Sequence, residues 1–267
     1  MAKVLLLGVI LGVILVNSKT KLQVRQCLID AISQHPKASL LGVERIYRWS
    51  GLEELWQVYR DIPIDTKDFA TSMLTGLNIS WSVMTENIEA IPKDGPLLIV
   101  ANHPSGGAEG LIAMSLLGNC RKDIRVLSNG LLRHIPELAR HQFTVGDKND
   151  TKRSMATAVR HLKIGGAVLM FPAGTVSHWQ IKRGYAEAPW HPSAARLAKI
   201  TNSKVQPLQF QASTTWLWRI FSAFSQAARI GLLARELLAQ RGKTVSVQIS
   251  EPLTDAIAIN AYFQDRM

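Results

Sequence analysis

At 267 residues, with 47% hydrophobic and 19% charged side chains, the chain is long enough for a sizeable core and too apolar for disorder. Its 31 Lys and Arg against 20 Asp and Glu give a formal charge of +11, which draws it to polyanions. A mean hydropathy of +0.06 and an apolar N-terminus turn that attraction toward anionic lipid and away from nucleic acid. Two isolated cysteines, Cys27 and Cys120, make neither a disulfide framework nor a metal site.

In chain order, residues 1–20 read as a hydrophobic N-terminal anchor, since Val4 to Val16 carries no polar side chain. That run is shorter than the roughly 18 to 20 residues of a spanning helix, and no small-residue cleavage site follows it. A membrane-dipping anchor is therefore favoured over a core helix or a cleaved signal. Lys19, Lys21 and Arg25 follow the run, against Lys3 before it, which predicts a membrane-associated chain at the cytoplasmic face of the inner membrane. Residues 21–85 read as a helical lead-in, with helical spacing in LEELWQVYRDI and a break at Pro63.

From 86 to 267, apolar strands alternate with helices. GPLLIVANHP, bounded by Gly95-Pro96 and Pro104, suits a buried strand, and GLIAMSLLG a helix after it. DIRVLS reads as a second strand and HIPELARHQ as a helix. The next helix, capped near Thr151 or Ser154, runs to Gly165-Gly166. AVLMFP is a third strand, SAARLAKI a helix and VQPLQF a fourth strand. A long amphipathic helix is expected from Arg219 to Arg241, then a fifth strand, TVSVQIS. The fold class is α/β: a mixed, largely parallel sheet flanked by helices, with an N-terminal helical extension.

Two segments follow buried strands, where α/β sheets usually bind ligands. The first is Asn102 to Gly110. His103 emerges at the strand end, Pro104 stops the ladder, and Glu109 sits at the start of the next helix, where the dipole favours a carboxylate. A turn of this length can return Glu109 to the imidazole, fixing its tautomer and leaving the other nitrogen to take a proton from a hydroxyl. The same segment also suits a structural histidine in a glycine-rich turn. The second is Phe171 to His178. Backbone N–H groups at Gly174 and Thr175, with the Thr175 and Ser177 hydroxyls, could bind a phosphate or stabilise an oxyanion.

Asn-His-Pro followed about 70 residues later by Phe-Pro-x-Gly-Thr resembles the glycerolipid (lysophosphatidic acid-type) acyltransferase superfamily. Val205-x-Pro207 is similar to its last motif. GGAVLMFPAG, APWHPSAARLA and LLARELLAQRGKTVSVQISEPL resemble its hemolysin-like branch, and the resemblance runs from Pro92 to Leu253. It implies a catalytic domain over 86–267 and a thioester acyl donor, coenzyme A or acyl carrier protein, as co-substrate, with no bound cofactor and no metal. The acceptor it implies is a hydroxyl of a lysophospholipid or related glycerolipid. His103 would be the general base and Glu109 its orienting partner. Asn102, Gly174, Thr175 and Ser177 would contact substrate.

Two departures bear on the acceptor. The superfamily carries an acid five places after its histidine, where this chain has Ala108 and places Glu109 one residue later. Its third motif grips glycerol phosphate with Glu and Arg, where this chain has Ala173 and Val176. Arg133, Lys182 and Arg183 are the cations available as substitutes, or are solvated surface charges. A non-phosphate acceptor, such as an amino-acid lipid, is the alternative, and a catalytically degenerate membrane-binding protein a further one.

The remaining histidines lack partners for other chemistry. His134 and His141 have no third ligand at metal spacing, and Ser105 and Ser177 lack a nucleophile elbow. The stretch from Trp216 to Arg241 is aromatic and basic, which fits a core helix with a solvated face or an interface with anionic lipid.

Overall fold

The computed structural model describes residues 21–33, 42–63, 68–84, 87–145, 148–180, 183–223 and 226–267. It opens with α1 (Lys21–Ser33), α2 (Val43–Trp49), α3 (Leu52–Asp61) and α4 (Phe69–Gly76). Helix α3 has acids in its first turn and Arg60 in its last, complementing its dipole. Asp68 caps α4 by accepting the Thr71 N–H at 3.0 Å. The chain then forms β1 (Ser80–Val83), an edge strand. The boundary drawn at residue 85 thus falls between two strands of one sheet.

The next elements are β2 (Leu97–Ala101), α5 (Gly107–Gly118), β3 (Ile124–Asn129), α6 (Pro136–Ala139), β4 (Gln142–Val145), α7 (Lys148–Lys163) and β5 (Ala167–Met170). A hairpin of β6 (His178–Gln180) and β7 (Gly184–Ala186) precedes α8 (Ser193–Thr201) and β8 (Lys204–Gln211). The chain closes with α9 (Trp216–Phe221), α10 (Gln226–Leu238), β9 (Thr244–Ile249) and α11 (Ala256–Gln264).

The main sheet of the described residues runs β1-β9-β8-β2-β5-β3-β4. All pairings are parallel except β8 with β9, so the sheet is mixed and largely parallel. Strand β2 is buried throughout, and its period of two divides the core. Leu97, Ile99 and Ala101 join a layer with Ile112 and Leu117 of α5, whereas Leu98 and Val100 join one with Leu162 of α7, Leu197 of α8 and Phe263 of α11.

The five expected strands are present. Strands β1 and β4 and the β6–β7 hairpin add to them. The expected helix from Arg219 to Arg241 is two helices: α9 ends at a buried Ser222, whose carbonyl accepts from Arg229 Nη1 at 2.7 Å. Neither Gly nor Pro stands between the two helices in sequence. Helix α7 starts at Lys148, before the Thr151 or Ser154 cap expected. The anchor expected at 1–20 lies outside the described residues; among these, no helix is long and apolar enough to cross a membrane.

Candidate active site

Strands β2 and β5 are parallel neighbours in register from Leu97↔Ala167 to Val100↔Met170. Their exits therefore lie side by side at one edge of the sheet, which brings the loop after Ala101 against the loop after Met170. The imidazole of His103 stacks on the Phe171 ring, with centroids 4.4 Å apart and planes at 28°. A backbone bond from the Ser177 N–H to the His103 carbonyl, 2.9 Å, ties the loops together.

Gly106 has φ +113°, a conformation closed to side chains, and a Cβ there would also come within 3.3 Å of Leu233 on α10. This turn starts α5 and places Glu109 in its first turn. Glu109 is fully buried; its Oε1 accepts from the Ser105 N–H at 2.5 Å and the Ser105 hydroxyl at 2.7 Å. Its Oε2 lies 3.6 Å from His103 Nδ1. Both atoms are buried and have no hydrogen-bond partner among the described residues. The imidazole retains 21% side-chain exposure. Such a pair can hold a proton on Nδ1 and keep the Nε2 lone pair free for a hydroxyl.

A second carboxylate holds the histidine from behind. Glu187, just after β7, accepts the His103 N–H at 2.8 Å and the Trp190 indole N–H at 3.2 Å. Burial pushes its carboxyl above the ordinary value, against the opposing pull of these donors. The motifs do not mark Glu187. The available signal is scarcity, because Glu187 and Glu236 are the only acids between Asp150 and Glu251.

The other expected residues separate. The Asn102 side chain donates to the Phe210 carbonyl at 3.0 Å and accepts its N–H at 2.7 Å, pinning β8. Gly174 has φ +65°, and its N–H closes a turn on the Phe171 carbonyl at 3.0 Å. The Thr175 N–H has no acceptor among the described residues, so unlike that of Gly174 it is left to donate. Ser177 is buried, and its carbonyl accepts the Trp218 indole N–H at 2.7 Å.

Arg133 follows β3, bonds the Gly130 carbonyl at 3.0 Å and lies 3.9 Å from Asp150. Arg183 is exposed near the turn of the β6–β7 hairpin, and Lys182 lies outside the described residues. Val176, at the place where the superfamily carries Arg, is buried in an apolar cluster with Trp218 and Leu232. No hydrogen bond or ion pair among the described residues joins a lysine or arginine to His103, Glu109 or the 171–177 loop. No group of three or more potential metal ligands occurs among them either.

The family model for Acyltransferase matches residues 39–262. A lyso-glycine lipid O-acyltransferase of Phocaeicola vulgatus is 26% identical over 182 residues, which are 64% of this chain and 64% of that protein. The chain thus spans just under two-thirds of this relative's length. The crystal structure of the 1-acyl-sn-glycerophosphate (LPA) acyltransferase of Thermotoga maritima aligns with 99% of this chain and 97% of that one, with a TM-score of 0.46 and 15% identity.

Proposed function

The chain belongs to the acyltransferase family, and on that premise we propose that it moves a fatty acyl group from a thioester of coenzyme A or acyl carrier protein to a lysolipid hydroxyl. His103 acts as general base and Glu109 orients it. The observation that carries this reading is the 3.6 Å approach of His103 Nδ1 and Glu109 Oε2, each buried and without another partner among the described residues.

A thioester is already activated, so no covalent enzyme intermediate is required. Nε2 of His103 takes the acceptor proton as the oxygen attacks the thioester carbonyl. The Thr175 N–H supports the oxyanion of the tetrahedral intermediate. Collapse breaks the C–S bond, and the departing thiolate takes the proton back from the imidazolium. Atoms and charge balance, and the base is regenerated.

The acceptor has two readings. The superfamily resemblance points to a lysophospholipid or related glycerolipid. An amino-acid lysolipid is favoured by Val176, which puts an apolar wall where a phosphate grip would stand, and by the lyso-glycine lipid named for the Phocaeicola vulgatus relative. Purified chain supplied with acyl-thioesters and a panel of lysolipids should release free thiol only with an acceptor, and mass spectrometry of the product names which. Undiminished turnover in His103→Ala sinks the mechanism. Acylation of glycerol-phosphate acceptors alone sinks the amino-acid reading.

A further inference from the structure

We propose that the outer face of α9, with the adjoining β6–β7 hairpin, is a lip that seats the active-site edge on an anionic lipid bilayer. The proposal rests on the lysolipid reading for its purpose but not for its evidence.

Helix α9 is two-faced. Trp218 and Ser222, four residues apart, are fully buried. Trp216, Arg219 and Ile220, at i, i+3 and i+4, share the opposite face, with Trp216 70% and Ile220 49% exposed. The hairpin extends this surface. Trp179 is 53% exposed and pairs with Tyr185, so the two project from the same face of the ribbon. The Arg219 guanidinium lies 5.0 Å from the Tyr185 ring centre and bridges helix to hairpin. The two adjoining elements thus expose two indoles and an isoleucine, with Arg219 bridging them through Tyr185.

Charge selects the occupant. No Asp or Glu occurs between Glu187 and Glu236, and both of those are turned inward. Glu187 holds His103, while Glu236 is fully buried and accepts from the Thr215 N–H and hydroxyl. The segments that build the lip therefore carry Arg219 and Arg183 and no outward-facing carboxylate of their own. Tryptophan with arginine and no acid is the composition that settles at a headgroup boundary. A second copy docking about a two-fold axis would set these arginines against like charge.

The lip is also coupled to the chemistry. The Trp218 indole holds the Ser177 carbonyl, and the Ser177 N–H holds the His103 carbonyl. Two hydrogen bonds thus fix the base relative to the surface on which its lipid acceptor would arrive.

The test uses the full chain carrying Cys27→Ser and Cys120→Ser. An environment-sensitive fluorophore is placed through Ile220→Cys on the lip or, as control, Ile200→Cys, which is exposed just before β8 at the opposite edge of the sheet. With phosphatidylcholine vesicles containing about one-third phosphatidylglycerol and a brominated lipid, the label at 220 should shift to the blue and be quenched, and the label at 200 should not. Trp216→Ala with Ile220→Ala should weaken vesicle affinity roughly tenfold. A chain that fails to bind, one that floats with vesicles while the label at 220 stays in water, or one quenched equally at both positions overturns the proposal. So does a blue shift that follows protein concentration without lipid. Neither readout needs turnover: docking without acyl transfer breaks the reaction reading alone, and acylation of a detergent-dispersed acceptor without docking breaks the lip alone.

Discussion

The central strands carry a buried charged group at each end, and the two are completed differently. At the amino edge Arg121 is 5% exposed and saturated. Its Nε and Nη2 reach both carboxylate oxygens of Asp123 at 2.9 and 2.6 Å, and further bonds reach the carbonyls of Gly95 and Gly165 at 2.8 and 2.7 Å. Those residues lead into β3, β2 and β5, so one guanidinium aligns three strand starts. At the carboxyl edge His103 Nδ1 and Glu109 Oε2 face each other at 3.6 Å with no hydrogen-bond partner among the described residues. Saturated polar groups can only hold a fold, whereas a partly exposed group with an unused lone pair can also exchange a proton.

The sharpest way to break that contrast is to remove each group in turn. His103→Ala should lower acceptor-dependent thiol release by about 10²- to 10⁴-fold while the melting temperature barely moves. Arg121→Met should do the reverse, costing about 1–3 kcal/mol of stability by leaving the Gly95 and Gly165 carbonyls without a donor, while the 42% exposed Asp123 turns to water, with activity per folded molecule retained. Thermal melts and assays on the same preparations decide it, and loss of activity in a fully stable Arg121→Met would erase the distinction. Acid adds a second axis. The Arg121 hydrogen bond holds the Asp123 carboxyl below its ordinary value despite partial burial. A folded value below the unfolded one means stability present above about pH 4 and lost as pH falls through the folded value. The native chain should therefore lose melting temperature more steeply than Arg121→Met on acidification below about pH 4.

Glu109→Gln sharpens the carboxyl-edge half of the comparison. The amide oxygen can keep both Ser105 donors, which leaves its NH2 facing Nδ1 and favours the tautomer with its proton on Nε2. The Nε2 lone pair of the proposed base is then taken up by a proton, with no change in the shape of either side chain. Thiol release should fall by about 10²-fold or more with little change in the acceptor KM. Equal activity would mean that the His103 tautomer is set by something other than Glu109.

What could be read from the sequence follows the range of the interactions. Strands β2 and β5 are apolar at every position and are punctuated by Gly95-Pro96, Pro104, Gly165-Gly166 and Pro172, so both strands and their loops were legible. His103 and Glu109 are six residues apart, within reach of one local turn. Strands β1 and β4 have four residues each and only partial burial, too short to show a period. Hairpin β6–β7 is shorter still and is fixed by Tyr185, which packs on Trp218 and donates or accepts at Thr214. Alternation in TVSVQI marks a strand but not its direction, which the path of α10 sets. The apolar spacing runs without interruption through the break between α9 and α10. Both Gly174 and Thr175 offer an N–H in sequence, and only the closed turn shows that Gly174 has already used its own. Glu187 lies 84 residues from the backbone it holds, beyond any local pattern.

Glu187 is the intermediate case between the two edges, since both its oxygens are bonded, as the Arg121 nitrogens are, yet it touches His103, the proposed base. If it only fills space, Glu187→Gln should cost stability and activity together. If it positions His103, the two should separate. Burial has already raised its folded carboxyl value above the unfolded one, so any stabilisation from this group belongs to low pH and is lost as pH rises through that folded value. Near neutrality a neutral isostere therefore removes little stability, and the melting temperature should stay within about 2–4 °C. The amide, however, offers one acceptor where the His103 and Trp190 N–H groups need two. His103 can then shift by a fraction of an ångström, and on the proposed mechanism kcat should fall several-fold at unchanged acceptor KM, as misplacement of a base does. Glu187→Asp, which restores two acceptors on a shorter stem, should recover part of the loss; a variant series in which kcat follows melting temperature instead would return Glu187 to the structural class of Arg121.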